Sequence, residues 1–142
     1  MKSIIHSVTF EKPATDVMAA LTTQDGLSGW WSTSVDAGSS VGEEVVFQFL
    51  LGEFNPVMRI EEMTETRLAW SSQQGHPPWD GSTFSFDLTP TEDGCELLFR
   101  MEYDVELPDA QYGTYNFNWA YYLESLRMLV NDGAGKPFEF QG

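Results

Sequence analysis

The chain has little of several things. Among its 142 residues there is one cysteine, Cys95. That excludes an intramolecular disulfide and any multi-thiolate metal site within one chain. Basic residues are also scarce: seven Lys plus Arg stand against 22 Asp plus Glu, for a formal net charge of −15. Nucleic-acid binding needs a cationic footprint, so that class is excluded, and recruitment to an anionic membrane surface is disfavoured for the same reason. No apolar run approaches the roughly 20 residues of a membrane span. The opening stretch, Met1 to Phe10, carries one positive charge and no signal-peptide core. A cytoplasmic location is the expectation. There is no His-Glu-x-x-His, no clustered Asp pattern, no Gly-x-Ser-x-Gly, no phosphate-cradling glycine loop and no dinucleotide fingerprint. The histidines, His6 and His76, have no metal-ligand spacing. No metal and no cofactor are therefore expected. Internal repeats and low-complexity tracts are missing too.

What is present is apolar and aromatic. Apolar residues make up 42% of the chain, and Phe, Trp and Tyr make up 14%. This is enough for one domain, residues 1–142, with a core that needs no staples. Ile4, His6, Val8 and Phe10 share one face of an opening strand, which Lys12-Pro13 ends. Val17, Ala20 and Leu21, then Leu27, Trp30 and Trp31, fall at helical spacing and predict two short helices broken near Asp25-Gly26. From Ser32 to Val105 the period is two. Val45, Phe47 and Phe49 alternate with Val46, Gln48 and Leu50. Phe84, Phe86 and Leu88 alternate with Ser85 and Asp87. Leu97, Phe99, Met101, Tyr103 and Val105 alternate with polar neighbours. Turn signals separate the runs at Gly52, at Gly75 through Pro78, and at Thr91 through Gly94. About five or six strands are expected in this stretch, in an antiparallel sheet wet on one face. Trp119, Tyr122, Leu123, Leu126, Leu129 and Val130 then form a helical stripe, with Gly133 as its C-cap and Pro137 as its stop. The helix must cover its apolar face, and the sheet is the surface available. The fold class is α+β, a curved antiparallel sheet gripping a long C-terminal helix.

Several stretches carry a resemblance. They are Pro13-Ala14-Thr15-Asp16-Val17 followed by Ala20-Leu21-Thr22, Leu27-Ser28-Gly29-Trp30-Trp31, Val41-Gly42, and Arg67-Leu68-Ala69-Trp70, where Glu65-Thr66 replace the usual Pro-x. The closing segment from Trp119 through Leu126 to Gly133 completes the set. Together they resemble the START-like (SRPBCC) superfamily, and within it the family related to the C-terminal domain of the activator of the ninety-kilodalton heat-shock-protein ATPase. The resemblance implies a helix-grip fold with a cavity between helix and sheet. It also implies a chaperone as a possible partner. It implies no single activity, because the fold hosts carriers, cyclases and co-chaperone domains.

The aromatic surplus is the main functional signal. Trp31, Phe47, Phe49, Arg59, Trp70, Phe84, Phe86, Met101, Trp119 and Tyr122 are expected to line the cavity. His76 and Trp79 are expected at its rim, in the loop Gly75-His76-Pro77-Pro78-Trp79-Asp80. Arg59 is included because it shares its alternation with Val57. A dry cavity of about 300 Å³, at roughly 24 cal/mol per Å³, costs about 7 kcal/mol. That rivals a domain's whole stability of about 5–15 kcal/mol. Such a cavity is therefore small, wet or filled. The resulting reading is a module that binds a hydrophobic small molecule, neutral rather than anionic given the net charge. The alternatives are a chaperone-interaction domain and a cyclase or hydrolase using His6 or His76 with Arg59. No catalytic constellation is legible, so a binding role is preferred to an enzyme. The chain is expected to be a monomer or a homodimer.

Overall fold

The period-two stretches become seven antiparallel strands of one sheet. The computed structural model describes residues 2–49 and 54–140. Strand β1 (Lys2–Phe10) leads to helices α1 (Ala14–Thr22) and α2 (Gln24–Trp30). Strands β2 (Ser34–Ala37), β3 (Glu44–Gln48), β4 (Val57–Met63), β5 (Arg67–Gln74), β6 (Thr83–Pro90) and β7 (Cys95–Tyr103) follow, and α3 (Asp109–Asp132) ends the series. The strand order is β1-β7-β6-β5-β4-β3-β2, so after β1 the chain crosses to the far edge, meanders back, and brings β7 beside its own start. Residues Leu50 and Gly52, expected in a strand and a turn, lie outside the described residues.

Register explains the core. His6, Phe99, Phe86 and Leu68 stand in one row across the sheet, and Ile4, Met101, Phe84 and Trp70 in the next. Each row belongs to the face that α3 covers, because side chains two apart on a strand share a face. On α3 the buried positions are Tyr115, Trp119, Leu123, Ser125 and Leu126. Trp119, Leu123 and Leu126 belong to the stripe read from the sequence, whose Tyr122, Leu129 and Val130 are half-buried; Tyr115 and Ser125 are added to it. Gly133 ends the helix at φ +90°, a conformation that favours glycine, and its N–H donates to the Leu129 carbonyl at 2.9 Å.

Two details differ from expectation. The break between α1 and α2 falls at Thr23, not at Asp25-Gly26. Thr23 takes an extended conformation, and its hydroxyl accepts from the Gly26 N–H at 3.0 Å. That N-cap starts α2 earlier than the glycine alone suggests. Strand β4 is also irregular, with register shifts between Val57 and Met58 and between Ile60 and Glu62. Its pairing with β3 is nevertheless continuous: Met58 stands opposite the buried Val45, and Val57 and Arg59 stand opposite Val46 and Glu44 on the outer face, where Val57 is buried and Arg59 is exposed.

Candidate functional site: an aromatic cavity under the long helix

A cavity of about 400 Å³ opens where α3 leaves the sheet. It is lined by Trp31, Phe49, Phe54, His76, Trp79, Tyr115, Asn118, Trp119, Tyr122 and Phe138. Six parts of the chain contribute. Trp31 caps α2, Phe49 follows β3, and Phe54 stands just before β4. His76 and Trp79 bracket a 3-10 turn whose Pro77 and Pro78 fix their own φ. Tyr115, Asn118, Trp119 and Tyr122 come from α3, and Phe138 from the segment beyond it.

Trp31 is the hub. Its ring centroid lies 4.3 Å from Phe47, 5.1 Å from Trp119, 5.2 Å from Phe49, 6.1 Å from Trp70 and 6.5 Å from Trp79. Trp30 stacks on its other side at 5.8 Å. All five tryptophans of the chain thus belong to one connected cluster. Trp119 sits at the edge of the solid core, 4.4 Å from Phe99, and closes the cavity floor with Trp79 at 5.9 Å. The indole N–H groups of Trp79 and Trp119 are buried and have no hydrogen-bond partner among the described residues.

The C-terminal segment is held against this wall by one serine. Ser125, fully buried on α3, donates its hydroxyl proton to the Trp30 carbonyl at 2.8 Å and accepts from the Lys136 N–H at 2.6 Å. Gly135 runs so close that a Cβ there would lie 2.5 Å from the Gly29 carbonyl oxygen. Two backbone hydrogen bonds then place Phe138. Its N–H donates to Trp31 at 2.8 Å, and its carbonyl accepts from Thr33 at 2.9 Å.

Polar groups among the described lining residues are few. The Tyr115 hydroxyl accepts from Gln111 Nε2 at 2.8 Å and lies 2.7 Å from His76 Nε2. When that nitrogen is bare, the tyrosine proton points to it. Burial pushes the Tyr115 phenol above its ordinary pKa, against the pull of the Gln111 hydrogen bond. Burial, and then the neighbouring Tyr121, push Tyr122 the same way.

Of the residues expected at the cavity, Trp31, Phe49, His76, Trp79, Trp119 and Tyr122 meet around it. Phe47, Trp70, Phe84, Phe86 and Met101 do not line it; they are fully buried in the solid part of the core, on the anticipated face but deeper. Arg59 is a correction. It alternates with the inward Met58 and Ile60 and stands on the outer face opposite Glu44 and Ser71, where its Nε donates to Glu61 at 2.9 Å. His6 also stands apart, in a shallow groove between β1 and α3 with Glu124 and Arg127. Four lining residues were not anticipated. Tyr115 and Asn118 lie four residues before Trp119 and Tyr122, so the same helical stripe carried back one turn finds them. Phe54 and Phe138 belong to irregular segments and have no periodic signal.

With this geometry in hand, comparison with known proteins decides the family. The model of the family described as "Activator of Hsp90 ATPase homolog 1-like protein" matches residues 11–131. The chain belongs to that family. Its fold is that of a solution structure of an Aha1 dimer from Colwellia psychrerythraea, with TM-score 0.85 and 26% identity over 95% of this chain and all of that one. DynU16, a putative protein of the dynemicin biosynthetic locus, superposes with TM-score 0.80 at 16% identity, over 99% of this chain and 52% of that one. CalU16 from Micromonospora echinospora does so with TM-score 0.71 at 19% identity, over 94% and 76%. No curated protein matches. These likenesses establish the helix-grip architecture expected from the sequence. No described helix is long and apolar enough to cross a membrane.

Proposed function

We propose that this chain is a binding module for an apolar, ring-containing small molecule held between α3 and the sheet. One observation carries the reading: a 400 Å³ cavity whose wall is almost wholly aromatic. Left uncovered, that wall keeps apolar area in contact with water. The lining rings lean on one another, and water gains few hydrogen bonds from so apolar a surface. A ligand removes that conflict. DynU16, from a biosynthetic locus, has the same fold and is consistent with such a role. His6 and Arg59 lie away from the cavity, which weighs against an enzyme that uses them there.

The experiment is a thermal-shift and tryptophan-fluorescence screen against polycyclic aromatics and lipids. A ligand at about 100 times its Kd stabilises by about 2.7 kcal/mol, and the melting temperature climbs with its concentration. Because every tryptophan is in or next to the wall, emission must change on binding. Neither effect with any compound overturns the reading.

Family membership supports a second reading, a chaperone-interaction domain. Stimulation of the Hsp90 ATPase by the purified chain tests it, and no stimulation discards it. The Colwellia relative forms a dimer. Sedimentation tests whether this chain, read as a monomer or homodimer, does the same.

A further inference from the structure

The cavity wall is selective in composition. Nine of its ten residues carry a ring and the tenth is Asn118; none is Leu, Ile, Val or Met. The chain does not lack those residues, since Ile60, Leu68, Leu97 and Leu123 fill the core nearby. For a neutral apolar ligand an aliphatic wall serves equally well, because hydrophobic burial follows area. Rings add a negative π face, which attracts cations. The N–H donors of two of them are kept out of the cavity. The indole N–H groups of Trp79 and Trp119 are buried, so those side chains meet the cavity through carbon.

Charge points the same way. No wall residue is Lys or Arg, and Lys2, Arg59, Arg67 and Arg127 are each paired with carboxylates elsewhere. The net charge of −15 concentrates cations around the molecule. Among the described residues the wall also lacks Asp and Glu. A primary ammonium would leave N–H donors poorly satisfied there. A fully alkylated ammonium has none to satisfy, and its larger radius lowers the cost of leaving water.

We infer that the cavity takes a cationic ligand, an alkylated ammonium carried on an apolar or aromatic body. This rests on the small-molecule reading above and assigns the charge of that molecule.

The test uses two probes of one shape. Phenyltrimethylammonium and tert-butylbenzene differ in a nitrogen cation against a carbon. Each is titrated into the full chain and followed by tryptophan fluorescence and calorimetry. The cation is expected to bind about tenfold more tightly, the scale of one or two ring contacts. The preference should persist at 1 M salt, where the Debye length of about 3 Å screens the surface field but not a contact. Phe54→Leu and Tyr122→Leu, at two half-buried positions, should lower affinity for the cation and leave the isostere nearly unchanged.

Equal binding, or tighter binding of the isostere, overturns the cationic assignment and leaves the small-molecule reading standing. So does a preference that vanishes at high salt, or an equal loss for both probes in the variants. Binding of neither probe overturns the cationic assignment; only a wholly negative screen removes the small-molecule reading as well.

Discussion

The layer between α3 and the sheet has two unlike parts. In one, Leu68, Phe86, Leu97, Phe99 and Leu126 are buried without a gap. In the other, Trp31, Phe49, Phe54, Trp79 and Tyr122 stand around 400 Å³ of space. Trp119 borders both, with Phe99 on one side and Trp31 and Trp79 on the other. Rings occur in both parts, but all the described lining residues except Asn118 carry one, and the difference lies in what each kind of side chain does next to a void. Aliphatic side chains have rotamers to spare and relax into empty space. A ring is a flat plate on two torsions, and a ring that leans on other rings has nowhere to go. The solid part supplies stability, and the ring-lined part supplies a shape that does not collapse.

The largest effect should come from cutting the solid part. Phe99→Ala is expected to cost about 3–5 kcal/mol in chemical denaturation. Phe54→Ala, half-buried at the cavity, should cost less than about 1.5 kcal/mol, below the value of fully burying such a side chain. Equal losses would erase the distinction between the two parts. Next in size is the link that holds them together. Ser125→Ala leaves the Trp30 carbonyl and the Lys136 N–H without their partner, for about 1–3 kcal/mol. It should also loosen Trp31 and Phe138, visible as a red shift of tryptophan emission. Destabilisation with unchanged emission would mean that the serine supports the fold but not the wall.

These residues also mark how far the sequence can be read. Period-two and helical stripes report which face of an element is buried, and for Trp31, Phe49, Trp119 and Tyr122 that was enough. They do not report where along a strand the gap begins. Trp70, Phe84 and Phe86 therefore share the right face and lie in the solid part. Arg59 does alternate with Val57, but the face they share is the outer one, beside Val46 and Glu44, while Met58 and Ile60 point inward; Val57 is buried there all the same, and its apolar character hides which face it is on. Phe54 and Phe138 reach the cavity through chain crossings, the second by a parallel bridge to Ser32. Contacts of that kind leave no trace in local spacing.

A smaller effect concerns the polar corner of the cavity. Tyr115→Phe removes the hydroxyl between His76 and Gln111 and keeps the ring. The expected loss is about 0.5–1.5 kcal/mol, with the aromatic wall intact. Affinity for phenyltrimethylammonium should be nearly unchanged if rings rather than the hydroxyl hold the cation; a large drop would move recognition to that hydroxyl.

The smallest effect belongs to the solid part and sharpens the contrast through pH. Cys95 is buried under α1, and burial, then the charge of Asp16, push its thiol above the ordinary 9.0. As pH rises past that value the unfolded chain loses the thiol proton while the folded chain keeps it. The unfolded state then binds fewer protons, so unfolding becomes easier as pH rises. The contribution is complete below the ordinary thiol pKa and is lost above it. The phenols of Tyr103, Tyr115 and Tyr122 are also raised, but from 10.0, so their effect begins at higher pH. Between pH 9 and 10 the decline therefore belongs mainly to Cys95, and Cys95→Ala should flatten it. The same burial keeps the thiol from reagents until the chain opens. Fast labelling of the native protein at neutral pH would show that this part of the core breathes, and the contrast with the cavity would then be one of degree.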